Sequence, residues 1–558
     1  MKNKKILILE VNNIDLIGRR FNGYDLMLLL NSHKNFCANQ IVIHKLSNIK
    51  NVYTFFESDE KKYIANKIEE FEKNKLSIHS QLSLTTPILK NHDMYKNSDI
   101  IHYHMYHNTK LSLFSLIEMC KDKKTVLTFH DPWSITGRCV HFQNCDKWLN
   151  GCVDCPNLNT LFEFKKDNCN EMWKLKKMIY KNIDPDIIVT SKWMLDLVKK
   201  SPLTKHFKRV HLIPFGIDLD FFSDRISKDD ARKKLNIDLT DTVLFFRSQK
   251  EFKGTEYIIE ALKELDSNKN ITLLTCDNQG LLFEIEDKYK VIDLGIIDND
   301  DLVYAYRACD IFLMPSIGES FGMMAIEAMA CGKPVIVFDN TALPSVTFAP
   351  ECGVLVENKN VLKLREAIKW LINDDKERIR RGKMAREIAE KHYDENVYNQ
   401  SILNLYTEIY NREKSTTKLP KVITEPIDFN TEQTKLICHK LNLLTKTLFT
   451  DGSEEYKKLY IKMNGKIDKS KKISYSDVNV QKTISMYNDN LYSLINSNVN
   501  LGVIPKKRKI KPIKWLKRFL YLIKNDRDTL KQIVKYELRN HPKILKTIKA
   551  IYKIKKNK

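Results

Sequence analysis

Two glutamates with seven residues between them, Glu319 and Glu327, carry the densest chemical signal in this chain. They stand in Pro315-Ser-Ile-Gly-Glu-Ser-Phe-Gly-Met-Met-Ala-Ile-Glu327, followed by Ala-Met-Ala-Cys-Gly-Lys-Pro334. The residue types predict a strand, a glycine loop, a short helix, a glycine stop and a proline ahead of the next strand. Gly318 and Gly322 let the backbone approach a ligand closely. The amides of Ser320, Phe321, Gly322 and Met323 fall at a helix N-terminus, where unpaired N–H groups and the helix dipole favour an anion such as a diphosphate. Glu327, on the helix, would accept two hydroxyl hydrogen bonds from a ribose, and Glu319, in the loop, would meet a sugar ring. The plainer alternative is a pair of carboxylates that cap and solvate a surface helix.

A second candidate is Phe129-His-Asp-Pro-Trp133, which closes a strand and sets His130 at its carboxyl end, the end where parallel sheets bind ligands. His130 there would hydrogen-bond a sugar or an acceptor hydroxyl, with Asp131 beside it. His102, His104 and His107 follow another strand, and His104 is kept as an acceptor-side candidate. Cys139, Cys145, Cys152 and Cys155 fall close together and end in Cys-Val-Asp-Cys-Pro156. Four thiols that close suggest a four-thiolate structural zinc that ties down a loop, with disulfides or free buried thiols as the alternative. No His or carboxylate pattern completes an open catalytic metal site, and no Asp-x-Asp of the kind that holds a metal–diphosphate stands out.

These residues need a scaffold, and the apolar runs supply one. Ile6–Val11, Asp99–His102, Lys124–Phe129 and Asp186–Thr190 read as parallel strands buried on both faces, separated by stretches able to form helices such as Thr109–Cys120. A second series comprises Thr242–Phe246, Ile271–Thr275, Val291–Leu294, Ile311–Met314 and Val335–Phe338, with helical stretches at Thr255–Leu265 and Asp300–Arg307. Alternating strand and helix signals predict two doubly wound, Rossmann-like α/β domains facing a cleft. The first spans 1–190 and contains the Cys-rich loop 139–155. A linker region covers 191–216, where His211-Leu-Ile-Pro-Phe-Gly216 punctuates the chain. The second domain spans 217–395, a closing helix 396–413, an appended helical or irregular region 414–505, and a basic tail 506–558.

The context Gly318–Ile336 resembles the E-x7-E motif of retaining GT-B glycosyltransferases of the family 4 type, the glycosyl transferases group 1. Phe246-Arg-Ser-Gln-Lys-Glu-Phe-Lys-Gly254 is similar to the strand–loop–helix in which that family carries an Arg and a Lys-Gly. The resemblance implies that Arg247 and Lys253 clamp the donor diphosphate, with Lys250 a competing cation. Fixed cations would stabilise the departing nucleoside diphosphate without a metal. Leu294-Gly-Ile-Ile297 and Asp300–Asp310 also resemble the family, which implies that backbone after Gly295 meets the nucleotide base. Phe129-His-Asp resembles the family's His-Asp element and implies that His130 lies near the transferred sugar. Where such families carry a Gly-Gly pair after the first strand, this chain has Ile17-Gly-Arg-Arg-Phe-Asn-Gly23, with Gly18 and Gly23 apart and Arg19 and Arg20 available to an acidic acceptor. Membership implies transfer of a sugar from a UDP- or GDP-sugar to a glycan or lipid-linked glycan with retention of configuration, no metal requirement, and a place in surface polysaccharide or glycoconjugate biosynthesis. The alternatives are an epimerase or phosphorylase on the same fold, or a non-catalytic glycan- or membrane-binding protein.

Composition narrows the class further. In 558 residues, 43% are hydrophobic and 10% aromatic, which excludes a mainly disordered chain. The net charge is +23, from 93 Lys and Arg against 70 Asp and Glu. Most of that excess lies after residue 505. The segment Ile513-Lys-Trp-Leu-Lys-Arg-Phe-Leu-Tyr-Leu-Ile-Lys524 has apolar residues at helical spacing among cations, the pattern of a helix that lies on an anionic membrane surface. A solvated helix packed on the second domain is the alternative. Nucleic acid is disfavoured because no base-stacking platform accompanies the charge. The apolar run near the N-terminus contains Glu10 and is too short for a signal peptide, and no run of about 18 uncharged apolar residues occurs. The expected location is cytoplasmic, peripheral at the membrane where the tail engages it.

Overall fold

The computed structural model describes residues 5–413, apart from short stretches within 57–84 and at 114, 161–162, 250, 279 and 296–298. The appended region 414–505 and the basic tail 506–558, with their proposed amphipathic helix, lie outside the described residues, as does Lys250. Among the described residues no helix is long and apolar enough to cross a membrane.

Two parallel sheets carry the chain. The first runs in the order β3-β2-β1-β4-β5-β6-β7 and the second β10-β9-β8-β11-β12-β13. In the first, β1 (Ile6–Val11), β4 (Ile100–His104), β5 (Lys124–Thr128) and β6 (Asp186–Val189) are the apolar runs expected from sequence. In the second, β8 (Thr242–Arg247), β9 (Ile271–Cys276), β10 (Lys290–Asp293), β11 (Ile311–Met314) and β12 (Val335–Phe338) follow the same logic. Most of these strands are buried along their whole length, which only helices on both faces of a sheet can achieve. In both sheets the first strand of the series lies beside the fourth, so the winding reverses there. Ligands bind at such reversals, outside the carboxyl ends of the strands. The loops after Val11, His104, Arg247 and Met314 therefore frame the site.

Four strands lie outside the runs expected from sequence: β2 (Phe36–Val42), β3 (Val52–Thr54), β7 (Val210–Leu212) and β13 (Val354–Val356). In β2 the polar pair Asn39-Gln40 interrupts the pattern, yet Gln40 is fully buried because its Nε2 donates to the Asn22 carbonyl at 2.7 Å. β7 lies inside the 191–216 stretch expected to be a linker. It pairs with β6, Ile188 opposite His211, so the first sheet extends past residue 190. The crossing between lobes is confined to the residues after it. Gly216 passes so close to the returning chain that a Cβ there would collide with the Glu395 backbone. Ile217 N–H donates to the Tyr393 carbonyl at 2.8 Å and Glu395 N–H to the Ile217 carbonyl at 3.0 Å, so the two crossings brace each other.

The last described helix, Glu395–Asn411, starts on an Asp394 side-chain cap and leaves the second lobe to pack on the first. Its Ile402, Leu403, Leu405, Tyr406 and Ile409 share a core with Ile8, Ile100, Val126 and Ile188. Tyr406 also reaches polar groups inside that core. Its hydroxyl donates to Glu10 Oε1 at 2.9 Å and meets His102 Nδ1 at 2.7 Å. Burial pushes the Glu10 carboxyl up, but His102 and His104 beside it outweigh burial and hold it down at about 2. A carboxylate depressed in the folded state stabilises the fold above its ordinary value and loses that stabilisation as pH falls through the depressed one. Tyr406→Phe is expected to destabilise the fold by about 1–3 kcal/mol in urea denaturation at pH 7, by leaving Glu10 short of a donor. The gap to wild type should narrow as the pH is lowered from about 4.5 toward 2.

Candidate active site

Of the residues expected from sequence, Lys253 and Glu319 come together because two loops are stitched backbone to backbone. After β8 the chain turns at Gly254, which has φ 75° and lies where a Cβ would collide with the Pro315 carbonyl. The Phe252 carbonyl accepts from the Ile317 amide at 2.8 Å and the Gly318 amide at 3.3 Å. This contact lays Lys253 against Glu319, and their side chains pair at 2.7 Å. Burial pushes the Glu319 carboxyl up, but the Lys253 ammonium, His141 and the Phe321 amide more than offset it, so the group is held below its usual range. The Phe321 amide is thus engaged by Glu319. Gly322, with φ 109°, then opens the helix Met323–Ala330. Its lack of a Cβ matters twice, since one would also meet Leu343 Cδ2 at 2.5 Å.

Arg247 stands at the end of β8, partly exposed, with one guanidinium nitrogen 3.0 Å from Asp277 Oδ2. Asp277 follows β9, and its amide donates to the Gly295 carbonyl at 2.9 Å, which ties the ends of β8, β9 and β10 into one rim. Gly295 has φ 66° and open space where a side chain would lie. The Arg247 Nε and the Ser320 hydroxyl are buried and have no partner among the described residues. Buried polar groups are nearly always paired, so these two are suited to a polar ligand. Glu327 is 5% exposed, and Tyr306 and Arg20 both donate to it, at 2.9 and 3.0 Å. Burial nevertheless keeps its carboxyl above the usual range.

Arg20 comes from the first lobe, so Glu327 is shared between lobes. Arg19 turns instead to Asp25, at 2.5 Å. Neither arginine is therefore free as a dedicated acceptor group, and Gly18, with φ 68°, serves the turn that places Arg20 and Phe21. The Phe21 edge meets both His130 and Phe215, and Phe215 meets Phe321 at 5.3 Å. Phe321 thus contributes its ring to packing between the lobes. Ser191 Oγ donates to the Ser320 carbonyl at 2.7 Å across the same boundary.

On the first-lobe face His130 stacks flat on Phe215, and its Nε2 lies 3.3 Å from His104 Nδ1. Burial and the neighbouring His104, His102 and His107 hold it well below the usual histidine range, so the ring is neutral at pH 7. His104 is buried, bonded to Glu10 Oε2 at 2.8 Å, and held at about 4 by burial. It positions His130 and is not open to an acceptor. Gly23, rather than Gly18, is the glycine this arrangement requires, because a Cβ there would come within 2.8 Å of His104 Nε2. Glu10, His102 and His104 lie close enough to suggest a metal, but every ring nitrogen already has a partner, His102 Nε2 taking Thr128 at 2.6 Å. Asp131 caps the turn Pro132–Ile135 through the Trp133 amide at 2.8 Å and faces His107 at 3.3 Å. Burial raises its carboxyl to about 6.

Cys139, Cys145, Cys152 and Cys155 line one cavity, and no disulfide joins them. The loop that carries them also delivers His141, whose ring lies 4.6 Å from Phe252 and against Gly318. Sequence reasoning passed over His141, Asp277, Tyr306 and Glu10, since each earns its place through a partner far away in the chain. Replacing Lys253 with Met removes the cation that holds Glu319 ionised. The expected cost is about 1 kcal/mol at pH 7, read from denaturation midpoints. It should shrink below about pH 4.5, where the wild-type carboxylate also begins to lose its contribution.

Residues 227–388 match the family model described as glycosyl transferases group 1. The chain is 32% identical over 199 residues to a D-inositol 3-phosphate glycosyltransferase of Corynebacterium glutamicum, covering 32% of this chain and 47% of that protein. It is 31% identical over 180 residues to the N,N'-diacetylbacillosaminyl-diphospho-undecaprenol alpha-1,3-N-acetylgalactosaminyltransferase of Campylobacter jejuni, again covering 47% of the relative. The chain spans about half the length of these curated relatives. In fold it is similar to the sucrose-phosphate synthase of Thermosynechococcus elongatus, with a TM-score of 0.53 at 18% identity over 72% of this chain and 99% of that one. The chain thus has the GT-B frame of two Rossmann-like lobes and, over residues 227–388, is similar to the glycosyl transferases group 1.

Proposed function

We propose that this protein transfers a sugar from a nucleotide-sugar donor, a UDP- or GDP-sugar, to a glycan or lipid-linked glycan, with retention of configuration and without a metal in the reaction. The observation that carries this reading is the Lys253–Glu319 pair between the loops after β8 and β11, the strands at which the second sheet reverses, with Arg247 at the end of β8 and Glu327 on the helix after β11. Arg247 and Lys253 take up the charge that grows on the leaving diphosphate, assisted by amides at the start of the helix Met323–Ala330. Each cation already rests against a carboxylate, which holds it in place before the donor arrives. Glu327 accepts the ribose hydroxyls in exchange for Arg20, while Tyr306 keeps its other oxygen oriented. Glu319 orients the donor sugar. Neutral His130 offers a hydrogen bond beside the reacting carbon without adding charge there. The contacts between lobes exclude water, which would otherwise hydrolyse the donor.

The names of the two relatives suggest phosphorylated or diphosphate-lipid acceptors. A basic tail that holds the enzyme at the cytoplasmic face of a membrane would bring it to a lipid-linked acceptor in surface polysaccharide or glycoconjugate synthesis.

The reading is tested by thermal shift with UDP, GDP and ADP and their sugars. One nucleotide is expected to stabilise the wild type, by about 2.7 kcal/mol at a hundredfold excess over Kd. The Arg247→Ala/Lys253→Ala variant should show no such gain. Glu319→Gln should still bind the nucleotide but lose sugar transfer. Stabilisation by none of the nucleotides, or stabilisation that the double variant keeps, overturns the assignment.

A further inference from the structure

The Cys-rich loop holds more thiols than its own sequence shows. Cys169, 1% exposed at the first turn of the helix Cys169–Tyr180, lines the same cavity as Cys139, Cys145, Cys152 and Cys155. Cys155 is in hydrogen-bond contact with both Cys139 and Cys169. The Gly137 amide donates to Cys152 Sγ at 3.2 Å, the kind of N–H···S bond that supports a thiolate ligand. No three of these sulfurs lie within 4.8 Å of one another, so a closed four-thiolate site requires the loop to draw in. Two basic side chains are buried beside it. Lys176 has no exposure, donates to the Trp133 and Thr136 carbonyls, and sits 3.4 Å over the Trp133 ring. Arg138, 1% exposed, lines the cavity and donates to Thr160 Oγ1 at 2.9 Å.

We propose that this cavity binds one zinc ion through Cys139, Cys152 and Cys155, with Cys145 or Cys169 as the fourth thiolate. Binding releases the four thiol protons to solvent and forms four Zn–S bonds of about 2.3 Å in a closed tetrahedral site. The ion acts as a strut. It fixes the loop whose His141 packs on Phe252 and Gly318 beside the Lys253–Glu319 pair, and whose Gln143 accepts from Lys359 of the second lobe at 3.1 Å. The assignment is independent of which sugar or nucleotide the protein uses.

The test is elemental analysis of the full-length protein purified without chelators, with about one zinc per chain expected for a single closed site. Cobalt substituted for zinc should show the visible bands of a tetrahedral thiolate complex. Cys155→Ser and Cys139→Ser should lose the metal, and Cys37→Ser, outside the cavity, should keep it. Of Cys145→Ser and Cys169→Ser, one should lose the metal and the other keep it, which names the fourth ligand. Zinc-free wild type, disulfides among these cysteines in peptide mapping, or metal that survives Cys155→Ser would overturn the proposal. So would loss from both Cys145→Ser and Cys169→Ser, which leaves no four-thiolate set of the kind assigned. The wild-type zinc and cobalt measurements decide the matter even if a variant fails to fold.

Discussion

A carboxylate with no access to water organises the first lobe. Glu10 lies in the middle of a parallel sheet, and an ionised group there survives only if donors surround it. Three of the contacts that meet this demand shape the molecule. His104, at the end of the neighbouring strand, bonds to Glu10 and thereby turns its other nitrogen toward His130. His102, on the same strand, links Glu10 to β5 through Thr128. Tyr406 arrives from the last described helix, 396 residues along the chain, and fastens it to the first lobe. Gly23 is forced by the same packing, because any side chain there would strike His104. One buried charge therefore connects the sheet core, the return of the chain from the second lobe, and the histidine face of the site.

The second lobe solves a different problem, which is to hold two cations apart at the ends of its strands. Each is given its own carboxylate, Asp277 for Arg247 and Glu319 for Lys253. Such partly exposed pairs add only modest stability, and their value here is geometric. The pairing survives because the loops that carry it are joined by main-chain hydrogen bonds and by the close passage of Gly254 against Pro315. Glu327 is treated differently. It is buried deeper and shared with Arg20 of the first lobe, so this carboxylate also registers how the lobes meet. The Phe21, Phe215 and Phe321 rings supply an apolar contact along the same boundary.

The parts of this protein that local patterning determines were legible in its sequence. Continuous apolar runs mark β1, β4, β5, β6 and β8 to β12, since a strand covered on both faces has no place for a polar residue without a partner. β2 escaped notice because its buried Gln40 is held by Asn22, a partner that no local pattern reveals. The glycine loop and the helix bearing Glu327 were readable for the same local reason: positive-φ glycines and helix starts depend on a few adjacent residues. The tertiary structure alone decided which charges meet. Lys253 finds Glu319 across 66 positions and Arg20 finds Glu327 across 307, Arg19 is spent on Asp25, and Cys169 joins thiols from an earlier loop. Periodicity reports whether a residue is buried. The partner that makes burial of a charge tolerable is set by strand order and by the approach of loops distant in the chain, and neither is written in any local stretch of sequence.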